Sequence, residues 1–179
     1  MKFRETKITE HYLTEKLVYE VFSQTSFSDG KVEKDLVREI RNSEYYVPQL
    51  DFVVEENQRL IAHCILSRFP LNQKHQDELL MLTPVSVLPD KQQQGVGKMM
   101  LEKAIGMATV LGYKGIIVEG DPSYYHRFGF KTSTDYGIYA SNKNVPPSSE
   151  NLMALELSKD SLKEMTGEVD YSIYDALSH

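Results

Sequence analysis

The chain of 179 residues holds one cysteine and no tryptophan. A lone thiol cannot form an internal disulfide, and no Cys/His cluster has the spacing of a zinc site. Cys64 lies in the apolar run Leu60 to Leu66, which reads as a buried, inert position. Basic charge is also scarce. Lys and Arg number 20 against 26 Asp and Glu, a net charge of -6, which argues against a general nucleic-acid binder. No apolar run approaches the ~20 residues that span a bilayer. Met1 to Thr6 lacks the apolar core of a signal peptide. Repeats and low-complexity segments are absent, and no composition shift marks a boundary. The expectation is a cytoplasmic protein with a single domain over residues 1–179 and no nucleic-acid or membrane partner.

The charge that is present is unevenly spread. Between Ser86 and Lys131 there are six basic residues (Lys91, Lys98, Lys103, Lys114, Arg127, Lys131) and four acidic ones (Asp90, Glu102, Glu119, Asp121). A locally basic stretch in an acidic chain suits an anionic ligand.

Apolar periodicity gives the order of elements. Thr9 is placed to cap a first helix whose apolar face is Tyr12, Leu13, Leu17, Val18, Val21 and Phe22. Ser26 to Gly30 reads as a turn, followed by a second helix over Val32–Asn42. Leu50–Glu55 and Leu60–Ser67 read as a strand pair around a turn at Glu56 to Arg59. Phe69 to Asp77 is a polar loop. Glu78–Val87 is an almost wholly apolar strand, as a central strand should be. Pro84 inside it removes a ladder donor, so a bulge or a splayed strand is expected there. A helix follows Gly97, with Leu101, Ala104, Ile105, Ala108 and Leu111 on one face, and stops at Gly112. Gly115–Glu119 is a short buried strand, completing a parallel strand-helix-strand unit and placing the chain in the α/β (α+β) class. A short helix is expected over Ser123–Arg127, ending near Gly129. Ile138 to Glu150 reads as an irregular loop and Leu152–Leu157 as a strand. Ser158 is placed to cap Lys159 to Met165, with Gly167 closing that turn, and Val169–Tyr174 reads as a last strand.

The chemistry concentrates between Val85 and Phe130. After Val85-Ser86-Val87 comes Gln92-Gln93-Gln94-Gly95-Val96-Gly97-Lys98, lying between a buried strand and a helix. Glycines without Cβ let an anion approach the backbone. The first N–H groups of the helix, with its dipole, point at that anion. Lys98 adds positive charge. Two other phosphate motifs fail here. Gly97-Lys98 is followed by Met99 where a P-loop needs Ser or Thr, and Gly95-Val96-Gly97 lacks the third glycine of a dinucleotide fingerprint. Further on, Tyr124 and Tyr125 precede the turn Phe128-Gly129-Phe130.

Gln92-x-x-Gly95-x-Gly97 matches the Gln/Arg-x-x-Gly-x-Gly/Ala signature of the GCN5-related N-acetyltransferases. Tyr125-His126-Arg127-Phe128-Gly129-Phe130 fits the family's Tyr placed four residues before Gly-Phe. Glu119 to Phe130 resembles the bacterial YhbS-type subgroup in particular. The resemblance is strong between Leu79 and Phe130 and looser over the rest of the chain. It implies a GNAT fold: a mixed central sheet of about six to seven strands with helices on both faces, splayed between two central parallel strands. It also implies acetyl-CoA as co-substrate and no metal. Val85, Ser86 and Val87 would run beside the pantetheine arm. Gln92, Gln93, Gln94, Gly95, Val96, Gly97 and Lys98 would surround the pyrophosphate, and Tyr125 and Phe128 would complete the cofactor site. A backbone N–H near Val87 would serve the thioester oxyanion, and Tyr125 would protonate the leaving thiolate. Tyr124, one residue away, is expected to face elsewhere.

The base is open: Glu78, Glu119 or a water relay could remove the amine proton. His126 reads as a surface residue and His63 as a satisfied core histidine. The alternative to an enzyme is a non-catalytic acyl-CoA-binding or sensing module on the same fold. The acceptor amine is unassigned; an acidic remainder favours a cationic one by steering. The family also admits homodimers, with no dedicated interface signature in this chain.

Overall fold

The computed structural model describes residues 1–140 and 150–178. In chain order the elements are β1 (Lys2–Glu5), α1 (His11–Phe22), α2 (Lys31–Asn42), β2 (Asp51–Glu56), β3 (Arg59–Arg68), β4 (Leu79–Val87), α3 (Val96–Val110), β5 (Gly115–Glu119), α4 (Pro122–Tyr125), β6 (Lys131–Thr132), β7 (Ile138–Ala140), β8 (Leu152–Glu156) and β9 (Gly167–Val169). Seven strands form one sheet in the order β1-β2-β3-β4-β5-β8-β6, while β7 and β9 pair separately. Every neighbour in the large sheet is antiparallel except β4 and β5. The α3 crossover joins those two, as a parallel pair requires. No helix among the described residues is long and apolar enough to cross a membrane.

Strand alternation divides the core between the two faces. Phe52, Val54, Cys64, Leu66, Leu80 and Leu82 pack with Met100, Leu101, Ala104 and Ala108 of α3. Ile65, Leu79, Met81 and Ile117 pack on the other face with Leu36, Val37 and Ile40 of α2. Helices therefore cover both sides of the sheet.

The expected splay is present: it opens after Met81, three residues before Pro84. The parallel ladder between β4 and β5 runs only from Leu79↔Gly115 to Met81↔Ile117. On its other edge β4 stays paired with β3 as far as Val87, across a register shift between Cys64 and Leu66. Beyond Met81 the edge of β4 that faces β5 has no strand partner among the described residues.

Six expectations need correction. Glu10, not Thr9, precedes α1, after a 3-10 turn over Ile8–Glu10. Tyr12 is 75% exposed and Leu13 52% exposed. Their places on the buried face are taken by Thr14 and Glu15, which can be buried because Arg41 and Arg38 of α2 hydrogen-bond to them at 2.8 and 2.7 Å. Leu111 lies outside α3 as its C-cap and is exposed. Ile138–Ala140 forms β7, paired in parallel with β9, where a loop was expected. Residues 141–149 of that expected loop lie outside the described residues. Lys159 to Met165 makes a series of turns, not a helix, since Asp160 has a left-handed φ of 58°. The last expected strand stops at Val169, because the Asp170 carboxylate accepts from Ser172 N–H at 2.8 Å and starts a 3-10 turn.

His63 is buried, but in a charged setting. Its Nε2 lies 2.9 Å from the Asp51 carboxylate, and Arg41 Nε donates to the same carboxylate at 2.9 Å. The cluster ties α2 to β2 and β3. Burial by itself raises the Asp51 carboxyl, but the hydrogen bonds and charges of His63 and Arg41 outweigh it and hold Asp51 well below the usual carboxylate range.

Candidate active site

The strand edge left free by the splay leads to the start of α3. Leu88 to Gln94 forms the connection, and its polar side chains brace it. Gln92 Nε2 donates to the Val87 carbonyl at 2.9 Å and Gln94 Nε2 to the Asp90 carbonyl at 2.8 Å. Arg59 pairs with Asp90 at 2.8 Å, and Lys91 pairs with Glu56, so both strands of the β2–β3 hairpin hold the turn. Gly95 precedes α3 with φ of 80°, and nothing lies within 4 Å of a Cβ built there. That position is an open left-handed turn for which glycine is the cheapest residue. The N–H groups of Val96, Gly97 and Lys98 fall in the first helical turn, where no intrahelical acceptor exists. The first N–H to find one is Met99, bonded to the Gly95 carbonyl at 3.0 Å.

A cavity of about 690 Å³ opens over these groups. Val85, Val87, Gln92, Gln93, Gly95, Gly97, Lys98 and Tyr125 line it. Four other expected residues do not. Ser86 is fully buried, its Oγ without a partner, and Val96 is a core residue. Gln94 turns its amide back to the Asp90 carbonyl, and Phe128 packs edge to face against Tyr124 with centroids 5.5 Å apart.

Tyr124 does not face elsewhere. It lines the same cavity as Tyr125, and the two rings meet edge to face with centroids 5.1 Å apart. A Cβ built on Gly97 would lie 2.7 Å from the Tyr124 hydroxyl. This glycine is needed for close approach to a ring as well as for an open turn. Arg127 stacks on Tyr124, its guanidinium carbon 4.3 Å from the ring centroid, while its Nε donates to the Tyr124 carbonyl at 2.8 Å. Arg127 thus joins Lys98 on the cavity wall. Its signal in the sequence was its place in the basic stretch; Tyr124 left no signal, because the α4 turn is too short to settle which way two adjacent rings point.

The hydroxyl-bearing ring of Tyr125 stands where this cavity meets a second one. The second measures about 500 Å³ and lies between the splay and the turn joining α1 to α2. Phe27, Val85, Asp121 and Tyr125 line both cavities. Tyr125 is 9% exposed, and burial pushes its phenol above the ordinary value, with Tyr124 adding to the shift. It stays protonated through neutral pH. The Asp121 side chain caps α4 by accepting from Ser123 N–H at 2.9 Å, which fixes the rings that follow. Of the two candidate bases, Glu119 lines the second cavity, where Tyr171 donates to it at 2.6 Å. Glu78 lies in a different groove, bonded to His75 and Lys114 at 2.8 Å each.

Residues 48–132, which contain the splay, the turn and the paired tyrosines, match the acetyltransferase (GNAT) domain. The chain carries a GNAT acetyltransferase domain. The uncharacterized N-acetyltransferase YhbS of Escherichia coli K12 is 23% identical over 144 residues, covering 80% of this chain and 83% of YhbS. YjhQ from the same organism, also an uncharacterized N-acetyltransferase, is 27% identical over 100 residues, and that match spans 55% of each protein. Among solved structures, Escherichia coli YhbS in complex with CoA superposes with a TM-score of 0.82 at 20% identity, covering 95% of this chain and 88% of that one. A GNAT family acetyltransferase from Brucella melitensis in complex with acetyl-CoA gives 0.77 at 22% identity, covering 98% and 96%. These likenesses show that this chain has the fold of those two proteins.

Proposed function

We propose that the GNAT domain transfers an acetyl group directly from acetyl-CoA to a primary amine. The observation that carries this reading is the free edge of β4 beyond Met81, which leads from Tyr125 to the unpaired N–H groups at the start of α3. An extended arm bearing amides can lie along such an edge, and a pyrophosphate can sit on such a helix start. Both similar structures, from Escherichia coli and Brucella melitensis, hold CoA or acetyl-CoA.

Each residue has a role in this reading. Backbone groups of Val85 and Val87 pair with the pantetheine amides. The Val87 carbonyl already accepts from Gln92, so its second lone pair serves the arm. Amides from Gln93 to Lys98 hold the pyrophosphate, with Lys98 and Arg127 adding charge. The neutral amine attacks the thioester carbonyl carbon. A C–N bond forms, the C–S bond breaks, and the thiolate leaves with the bond's electron pair. Tyr125 gives its proton to that thiolate, and the proton lost by the amine nitrogen returns through water to the phenolate. The products are the N-acetylated amine and CoA thiol. A phenol raised by burial is a donor that remains loaded at working pH.

Acetyl-CoA binding by calorimetry tests the reading. Wild type should bind in the micromolar range, and Gly97→Trp should not. Because a large side chain at Gly97 also meets Tyr124, the surface variant Lys98→Ala/Arg127→Ala provides a second comparison and should weaken binding without loss of fold. A folded wild type that does not bind would overturn the proposal.

A further inference from the structure

The two cavities that meet at Tyr125 differ in charge. The cavity over the helix start is lined by Lys98 and Arg127. The cavity beneath the α1–α2 turn is lined by Glu33 and Glu119, and among the described residues no Lys, Arg or His lines it. Asp121 belongs to both. Tyr125 is nine-tenths buried between them, and its hydroxyl has no hydrogen-bond partner among the described residues.

We infer that the second cavity takes a small primary amine with an apolar or aromatic body and no carboxylate, and that it discriminates against the parent amino acids of such amines. The inference rests on the acetyl-transfer reading and adds the acceptor class to it.

Both carboxylates are held in place before any ligand arrives. Ser28 Oγ donates to Glu33 Oε2 at 2.6 Å, and Tyr171 Oη donates to Glu119 Oε2 at 2.6 Å. Each keeps its Oε1 for a cation, since no described residue donates to it. An ammonium group is attracted by both and by Asp121, which concentrates the amine beside Tyr125 before it loses a proton. A carboxylate on the carbon next to the nitrogen would enter among three like charges with no described cation to receive it, and a cavity wall of low dielectric strengthens that repulsion. The remaining wall is mainly apolar, with Phe22, Leu36, Met81 and Leu177 among its residues, and its polar members Thr83, Asn151 and Tyr171 are uncharged. Its volume of about 500 Å³ suits a ring on a short chain or a short aliphatic chain, within the range of about 300–1,000 Å³ common for small-ligand sites.

Matched pairs test this. Acetyl-CoA binding is measured first by calorimetry. The CoA-saturated enzyme is then titrated with phenethylamine against phenylalanine, tryptamine against tryptophan, and 1,5-diaminopentane against lysine. The acetyl-CoA-loaded enzyme is assayed with the same pairs by release of CoA thiol. The amine of a pair should bind at least about tenfold tighter than its amino acid and show a correspondingly higher kcat/KM. Glu119→Gln should lower amine affinity about tenfold and leave the acetyl-CoA Kd unchanged, because Glu119 lines only the second cavity. Amino acids bound as well as amines, no measurable binding of either, or acetylation of peptides alone would each overturn the inference while leaving acetyl-CoA binding intact. Failure to bind acetyl-CoA would instead remove the reading on which it rests.

Discussion

A methyl group on Gly97 would come within 2.7 Å of the Tyr124 hydroxyl, so the glycine at the start of α3 and the first tyrosine of α4 are fitted to each other. The contact joins two segments that read as separate motifs in the sequence. It makes the phosphate turn and the tyrosine pair one structural unit.

That fit gives the first prediction. Gly97→Ala should cost about 1–3 kcal/mol by overpacking and should weaken acetyl-CoA binding. In a Tyr124→Phe background, where the hydroxyl is gone, the same change should cost little or stabilise by up to about 1 kcal/mol through helix propensity. Denaturant unfolding of the four proteins of this cycle measures the coupling. Additive effects would show that the contact is not tight.

Tyr125→Phe should lower kcat by about 10²–10⁴-fold and leave the acetyl-CoA Kd within about twofold, since the ring and its packing survive. The pH profile carries a sign. The phenol is raised by burial, so its protonated, active form persists beyond the ordinary value of about 10. Activity should rise with pH as the acceptor amine loses its proton and should not fall between pH 8 and 10. A decline centred in that interval, absent in Tyr125→Phe, would assign Tyr125 a lower value than its burial implies.

Asp51 carries a stability prediction. Its carboxyl is held below the usual range, so its contribution is complete above the unfolded value of about 3.9 and is lost as pH falls through the folded value. Asp51→Asn should cost about 3 kcal/mol at pH 7, because buried Arg41 loses its nearer carboxylate at 2.9 Å and keeps only Glu15 at 3.8 Å. The deficit should shrink as both proteins are taken to lower pH. Urea unfolding at pH 7, 4 and 3 measures it, and a deficit independent of pH would contradict the ion-pair account.

Lys98 and Arg127 should act as charges rather than as shape. Lys98→Ala and Arg127→Ala should each raise the acetyl-CoA Kd about three- to tenfold at low salt, with a smaller ratio at 0.5 M salt as screening grows. Arg127→Ala also removes the support under Tyr124, so part of its effect should persist at high salt. Calorimetry at two ionic strengths separates these contributions.

The sequence by itself determined the elements whose signals are local. Apolar periodicity gave α2, the β2–β3 hairpin, α3 and β5 within a residue or two, because one-sided burial writes its period directly into the chain. Pro84 announced the splay, since a missing donor in a central strand has few structural outcomes. The Gln92-to-Gly97 spacing announced the helix start. The tertiary structure decided what depends on partners distant in the chain. Thr14 and Glu15 could replace Tyr12 and Leu13 on the buried face of α1 only because Arg41 and Arg38 reach them from α2. Ile138–Ala140 became a strand only because Gly167–Val169 lies beside it. Tyr124 and Arg127 entered the site, and Phe128 stayed behind them, through a short turn with no period long enough to read. Local patterns record how each segment buries itself; which side chains meet across the splay depends on contacts between segments, and those are fixed only when the sheet is assembled.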